Sequence, residues 1–133
     1  MAISTDASIE FFGTQDTVTA GGGTSAVSNG AFSVAGDAVT WTNDDDAKYA
    51  SMVLTCAFAV APTAYSNVKL FARLLNIDGT NDAITPDANN QHVCLGVFPL
   101  DDSTATQPIP IEIGLPNVKT SQEYEFYIQN NGS

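Results

Sequence analysis

Basic residues are scarce in this chain. Four lysines and arginines stand against fifteen aspartates and glutamates, a formal net charge of −11 at pH 7 over 133 residues. Such a chain repels a phosphate backbone, which argues against direct nucleic-acid binding. Histidine is nearly missing as well: His92 is the single imidazole available for base catalysis or metal ligation. No apolar run approaches the ~20 residues of a helical membrane span. The opening Met1-Ala-Ile-Ser-Thr-Asp lacks the basic start and apolar h-region of a secretory signal. Two cysteines cannot make a disulfide framework. Cys56 and Cys94 both fall in apolar, strand-like runs and read as small buried hydrophobes with free thiols, although a bridge between them is geometrically conceivable. Charged residues make up 14% of the chain, against about 25% in an ordinary globular domain. Ser, Thr, Asn and Gly take their place, as in a β protein with many turns.

Helical periodicity is the other absence. What the chain has instead is a series of short alternating runs. The centre of its organisation is Ser66–Leu100, two apolar strands around a polar loop. In Val68–Ile77, Val68, Leu70, Ala72 and Leu74 share one face, while Lys69, Phe71, Arg73, Leu75 and Ile77 share the other, so both faces are partly covered. The second run, His92–Phe98, is stopped by Pro99. Ahead of this pair, Ser8–Phe12 forms a first strand. Ala31–Val34 and Ala38–Thr42 read as a hairpin hinged on Gly36-Asp37. Tyr49–Val60 forms a long core strand with Met52, Leu54, Cys56 and Phe58 on one face. After it, Ile109–Ile113 alternates around Pro110, which confines it to a sheet edge or to a position needing no amide donor. Glu123–Gln129 closes the series with Tyr124, Phe126 and Ile128 on one face. Eight or nine short strands separated by turns predict an all-β, single-domain antiparallel β-sandwich or jelly roll over residues 8–133, with residues 1–7 a flexible arm.

The residues that carry chemistry form no recognisable constellation. Ser66, His92 and Asp101 supply the residue types of a hydrolytic triad, but no nucleophile elbow frames any serine. Glu112 with Glu123 or Glu125 would serve glycoside cleavage only if they faced one another across a cleft. Asp44-Asp45-Asp46 and the loop from Asp78 to Asp82 offer clustered oxygens of the kind Ca²⁺ takes, with Asp78 and Asp82 as the weak candidate ligands. Neither stretch matches an EF-hand loop, and solvated turns are the plainer reading. Carbohydrate stacking has candidate platforms in Trp41, Tyr49, Tyr65, Tyr124 and Tyr127. No enzyme activity and no cofactor is expected.

The wording of several stretches carries the reading further. SIEFFGTQDTV, NVKLFARLLNIDGTNDA, LGVFPLDDS and IGLPNV together resemble small virion structural proteins of tailed bacteriophages, above all capsid decoration (cement) proteins with a β-sandwich or jelly-roll fold. The resemblance spans residues 9 to about 129. It implies a structural protein on the outer capsid surface of the virion that reinforces contacts between major capsid protein subunits. It also implies a homotrimer at local three-fold positions, with no membrane partner. Chains of this kind continue past a turn like Asn130-Asn131 with one more strand, so a closing strand is expected to be absent, supplied by a neighbour or removed. The candidate interface residues are Ile3, Ser4 and Thr5 of the arm, Phe11 and Phe12 of the first strand, and Asp78, Asn81 and Asp82 of the central loop. The competing function is a β-sandwich module on a tail or appendage that binds a host surface glycan.

Overall fold

A computed structural model describes residues 2–3, 8–11, 17–18, 26–34, 38–91 and 93–132, the first three segments as strand backbone alone. Among the described residues there are ten strands: β1 (Ala2–Ile3), β2 (Ser8–Phe11), β3 (Thr17–Val18), β4 (Val27–Ser28), β5 (Trp41–Asn43), β6 (Tyr49–Cys56), β7 (Asn67–Leu75), β8 (Cys94–Pro99), β9 (Gln107–Gly114) and β10 (Gln122–Asn131). Seven of them are three residues or longer. All pairings are antiparallel.

Two four-stranded sheets make the sandwich, in the orders β5-β10-β7-β8 and β3-β2-β6-β9, and β1 pairs with β4 beside them. From β3 onward the chain changes sheet at every step among these eight strands except from β7 to its neighbour β8. That alternation is the jelly-roll winding. In the usual winding the slot between β3 and β6 belongs to a last strand following β10. Here β2, from the start of the chain, fills it.

The alternation along each strand decides what lies between the sheets. Met52, Leu54 and Cys56 of β6 and Ile109 and Ile113 of β9 meet Val68, Leu70, Ala72 and Leu74 of β7 and Tyr124, Phe126 and Ile128 of β10 in one buried cluster. Burying the Val, Leu, Ile, Phe and Met side chains among them stabilises the fold by roughly 1.5–3 kcal/mol each. Trp41 packs against Tyr124 and Phe126, with ring centroids 5.7 and 6.0 Å away. The second face of β7 is covered as well: Phe71 is buried against Phe32 at 5.2 Å. Along one side of the sandwich β8 and β9, edge strands of opposite sheets, come close. A Cβ on Gly96 would stand 2.8 Å from Ile111 Cδ1.

Several boundaries differ from the sequence reading. Ala31–Val34 and Ala38–Thr42 do not pair as a hairpin. Both lie end to end along the same edge of β10: Phe32 bridges Gln129, whereas Trp41 pairs with Tyr124. β10 is ten residues long, and its edge provides more hydrogen-bonding positions than a three-residue β5 can use. Tyr49–Val60 ends as a strand at Cys56, and β8 starts at Cys94, not at residue 92. Cys94 is exposed on edge strand β8, so the expectation of two buried thiols holds for Cys56 alone. Both cysteines are unpaired. Of the expected arm at residues 1–7, Ala2 and Ile3 are placed in β1, paired with Val27 and Ser28.

Candidate functional site

The sandwich has two loop-bearing ends, and each presents one exposed tyrosine. At the first end gather the loops after β5 (44–48), β7 (76–93) and β9 (115–121). A network of asparagines locks the first and last of these together. Asn43 donates from Nδ2 to Ala47 O and Asn117 Oδ1, both at 2.9 Å, and accepts the Ala47 amide at 3.0 Å. Asn117 Nδ2 donates to Ala47 O at 2.7 Å, and the Tyr124 hydroxyl donates to Asn117 Oδ1. The Ser121 amide donates to Asp46 Oδ1 at 2.7 Å. Side-chain amides satisfied in this way, with Asn43 buried and Asn117 half-buried, hold loops in one geometry.

On this frame Tyr49, first residue of β6, stands 79% exposed. Its ladder partner is Gly114, where a Cβ would meet nothing within 4 Å. Tyr49 and Gly114 line two clefts: one of about 490 Å³ with Ala50, Ser51, Glu112 and Ile113, and one of about 670 Å³ whose lining includes Asp46, Lys48 and Lys119.

The 76–83 loop sits at the same end. Asp78 accepts from the amides of Thr80 and Asn81 at 3.0 and 2.7 Å and from Asn81 Nδ2 at 2.6 Å. The Asn81 side chain foremost, then the two amides, hold the Asp78 carboxyl down at about 2. Asp82 accepts from the Asn76 amide at 3.0 Å and faces Arg73 Nη2 at 3.4 Å. Arg73 also donates to Glu125 Oε2 at 3.0 Å and to Ala83 O at 2.9 Å. The candidate calcium ligands are thus engaged within their own loop and with Arg73. Among the described residues no group of three or more His, Cys, Asp or Glu is arranged to hold a metal ion. Asn81 is exposed beside them.

The opposite end carries the loops after β6 (57–66) and β8 (100–106), tied by the Leu100 amide donating to Ser66 O at 3.1 Å. Here Tyr65 is 97% exposed and holds a left-handed backbone with φ of 69°. The turn closes through the Ser66 amide and Thr63 O at 3.1 Å. Val60, 68% exposed, is in the same loop.

The remaining candidates divide plainly. Ile3 and Phe11 lie in β1 and β2, whose backbone alone is described; Ser4, Thr5, Phe12 and His92 lie outside the described residues. Ser66 is buried and Asp101 exposed, and the Asp101 amide is bound to Gln107 Oε1 at 2.8 Å. Glu112 on β9 and Glu125 on β10 occupy the outer faces of opposite sheets, so they do not face one another. Of the five aromatics considered for stacking, Tyr124 and Tyr127 are buried and Trp41 is half-buried in the core, which leaves Tyr49 and Tyr65. No helix of the structure is long and apolar enough to cross a membrane, among the described residues. No protein-family model, curated protein or solved structure matches the chain.

Proposed function

We propose that this chain is an outer-capsid decoration protein of a tailed bacteriophage, a homotrimer at local three-fold positions that binds major capsid protein through the loop end carrying Tyr65. The observation that carries the reading is Tyr65 itself. A left-handed backbone is disfavoured for a bulky L-residue by about 1 kcal/mol, and Asn or Gly would make the same turn more readily. The Tyr65 ring is 97% exposed. Folding therefore gains nothing from a tyrosine at this position. Tyrosine is enriched among the residues that dominate protein–protein affinity, because a rigid amphipathic ring buries much area at small entropic cost. Val60 extends the apolar surface around it.

Two further features support the same reading. The net charge of −11 suits a surface outside the shell, away from packaged DNA. Cementing needs buried area across subunit joints and asks no reactive group of the protein.

The test is Tyr65→Asn. Because Asn tolerates the left-handed turn, the variant melts at the wild-type temperature or slightly above it. Its binding to particles stripped of the protein falls by more than tenfold. Wild-type affinity in a folded Tyr65→Asn variant contradicts this docking end.

A further inference from the structure

The chain carries two Asn-Gly dipeptides, Asn29-Gly30 and Asn131-Gly132. Such pairs are prone to deamidate, because glycine puts no side chain in the way of its own amide. The glycine nitrogen, having given its proton to hydroxide, attacks the asparagine carboxamide carbon. A new C–N bond closes a succinimide, the bond from that carbon to Nδ2 breaks, and ammonia leaves. Water then opens the ring to aspartate or isoaspartate. The reaction needs a glycine amide that can lose its proton and turn toward its neighbour's side chain.

The fold withholds both, and one residue does so for both dipeptides. Asn130 is fully buried near the end of β10, and its backbone carbonyl accepts the Gly30 amide at 2.7 Å. Its side-chain Oδ1 accepts the Gly132 amide at 2.8 Å. Asn130 is itself fixed: Nδ2 donates to Val27 O at 2.8 Å, and its amide donates to Ala31 O at 3.1 Å. A carboxamide buried opposite Val68 is costly to leave unpaired, so these bonds keep it in one orientation. Gly132 is buried, whereas Asn29 and Gly30 are exposed. Solvent therefore reaches Asn29, and the bond from Gly30 to β10 is what restrains the attacking nitrogen.

We propose that Asn29 and Asn131 are latent deamidation sites kept closed by Asn130, whose carbonyl holds Gly30 and whose side chain holds Gly132. Opening of this junction sets the rate at which they are modified. An isoaspartate at position 29 adds a methylene to the backbone between β4 and Phe32, which bridges Gln129. Deamidation then makes a transient opening permanent.

The test uses the full 133-residue chain. Hydrogen exchange followed by NMR reads the Gly30 and Gly132 amides of the wild type, and both exchange at least a hundredfold more slowly than in the denatured chain. Samples are then aged in mildly alkaline buffer and digested with trypsin. Cleavage after Lys48, Lys69, Arg73 and Lys119 puts Asn29, Asp78 and Asn131 on three separate peptides. Asp78-Gly79 reacts through the same ring and is the internal control, because Asn76 O holds its glycine amide at 3.2 Å. Isoaspartate in each peptide is read by isoaspartyl methyltransferase labelling and mass spectrometry. The native wild type forms it at Asn29 and Asn131 at least tenfold more slowly than the denatured chain. Asn130→Ala removes Oδ1 and keeps the carbonyl, so Asn131 reacts at least tenfold faster while Asn29 and Asp78 keep their wild-type rates. The proposal is overturned if either glycine amide exchanges as in the denatured chain, or if the native wild type ages as fast as the denatured chain at either asparagine. It is equally overturned if Asn130→Ala leaves Asn131 slow, or accelerates Asn29 or Asp78 to the same extent. The exchange and wild-type ageing measurements stand whether or not the variant folds.

Discussion

At the scale of the residue, chemistry follows from burial more than from residue type. Cys56 is 1% exposed between the sheets, and burial pushes its thiol from 9.0 up to about 11. Cys94 is exposed on β8. At pH 8 a small disulfide reagent should therefore titrate one thiol rapidly in the native protein and two after denaturation. The upward shift alone reduces the Cys56 thiolate by about a hundredfold. Two fast thiols in the native state would contradict the placement. The same shift lowers stability in alkali. Between about pH 9 and about pH 11 the unfolded chain releases the Cys56 proton while the folded chain retains it, so unfolding is favoured as pH rises through that window.

Sequence alone could not separate the two thiols, because both runs are apolar. Nor could it single out Tyr65 and Tyr49 from the other aromatics. A left-handed φ has no signature when the residue is neither Gly nor Asn, and the open space beside Tyr49 depends on a register partner 65 positions away. The Asp78 loop was more legible: Asp, Gly and Asn at adjacent positions announce a side-chain-capped turn, and that turn is present.

At the scale of the element, the long alternating strands and the short β2 are readable, and the pairing of the 26–43 stretch is not. β6, β7 and β10 bury the residues that their period of two assigns to the core, since burial between two sheets enforces the pattern. The 26–43 stretch misleads because its pairing is set by β10, far along the chain, and not by its own turn residues. Pro110 signals an edge or a position free of an amide donor, and β9 is the outer strand of its sheet. Pro108 and Pro110 sit opposite Thr55 and Val53. Their nitrogens lie on the side away from β6, where an incoming strand would need donors. These prolines therefore blunt the edge against pairing with another copy. Replacing both by Thr should leave the melting temperature within a few degrees and raise the apparent mass in light scattering as concentration increases. An unchanged mass across the same range would show that β9 is protected by something else.

At the scale of the whole molecule, β2 lies between β3 and β6 in the jelly roll and fills that slot in the β3-β2-β6-β9 sheet. Composition and alternation point to an all-β sandwich, but they carry no information on which strand fills which slot. That is decided by packing across the core. The sandwich leaves its ends as the surfaces with character, one dominated by Tyr65 and the other by Tyr49.

The most direct measurement of the proposed function is a copy count by quantitative mass spectrometry on purified particles of the bacteriophage it assigns the chain to, taken relative to the major capsid protein. A decoration protein gives a ratio near one to one, or near one trimer per local three-fold position. A few copies per particle would contradict the capsid assignment and place the chain on a tail or appendage.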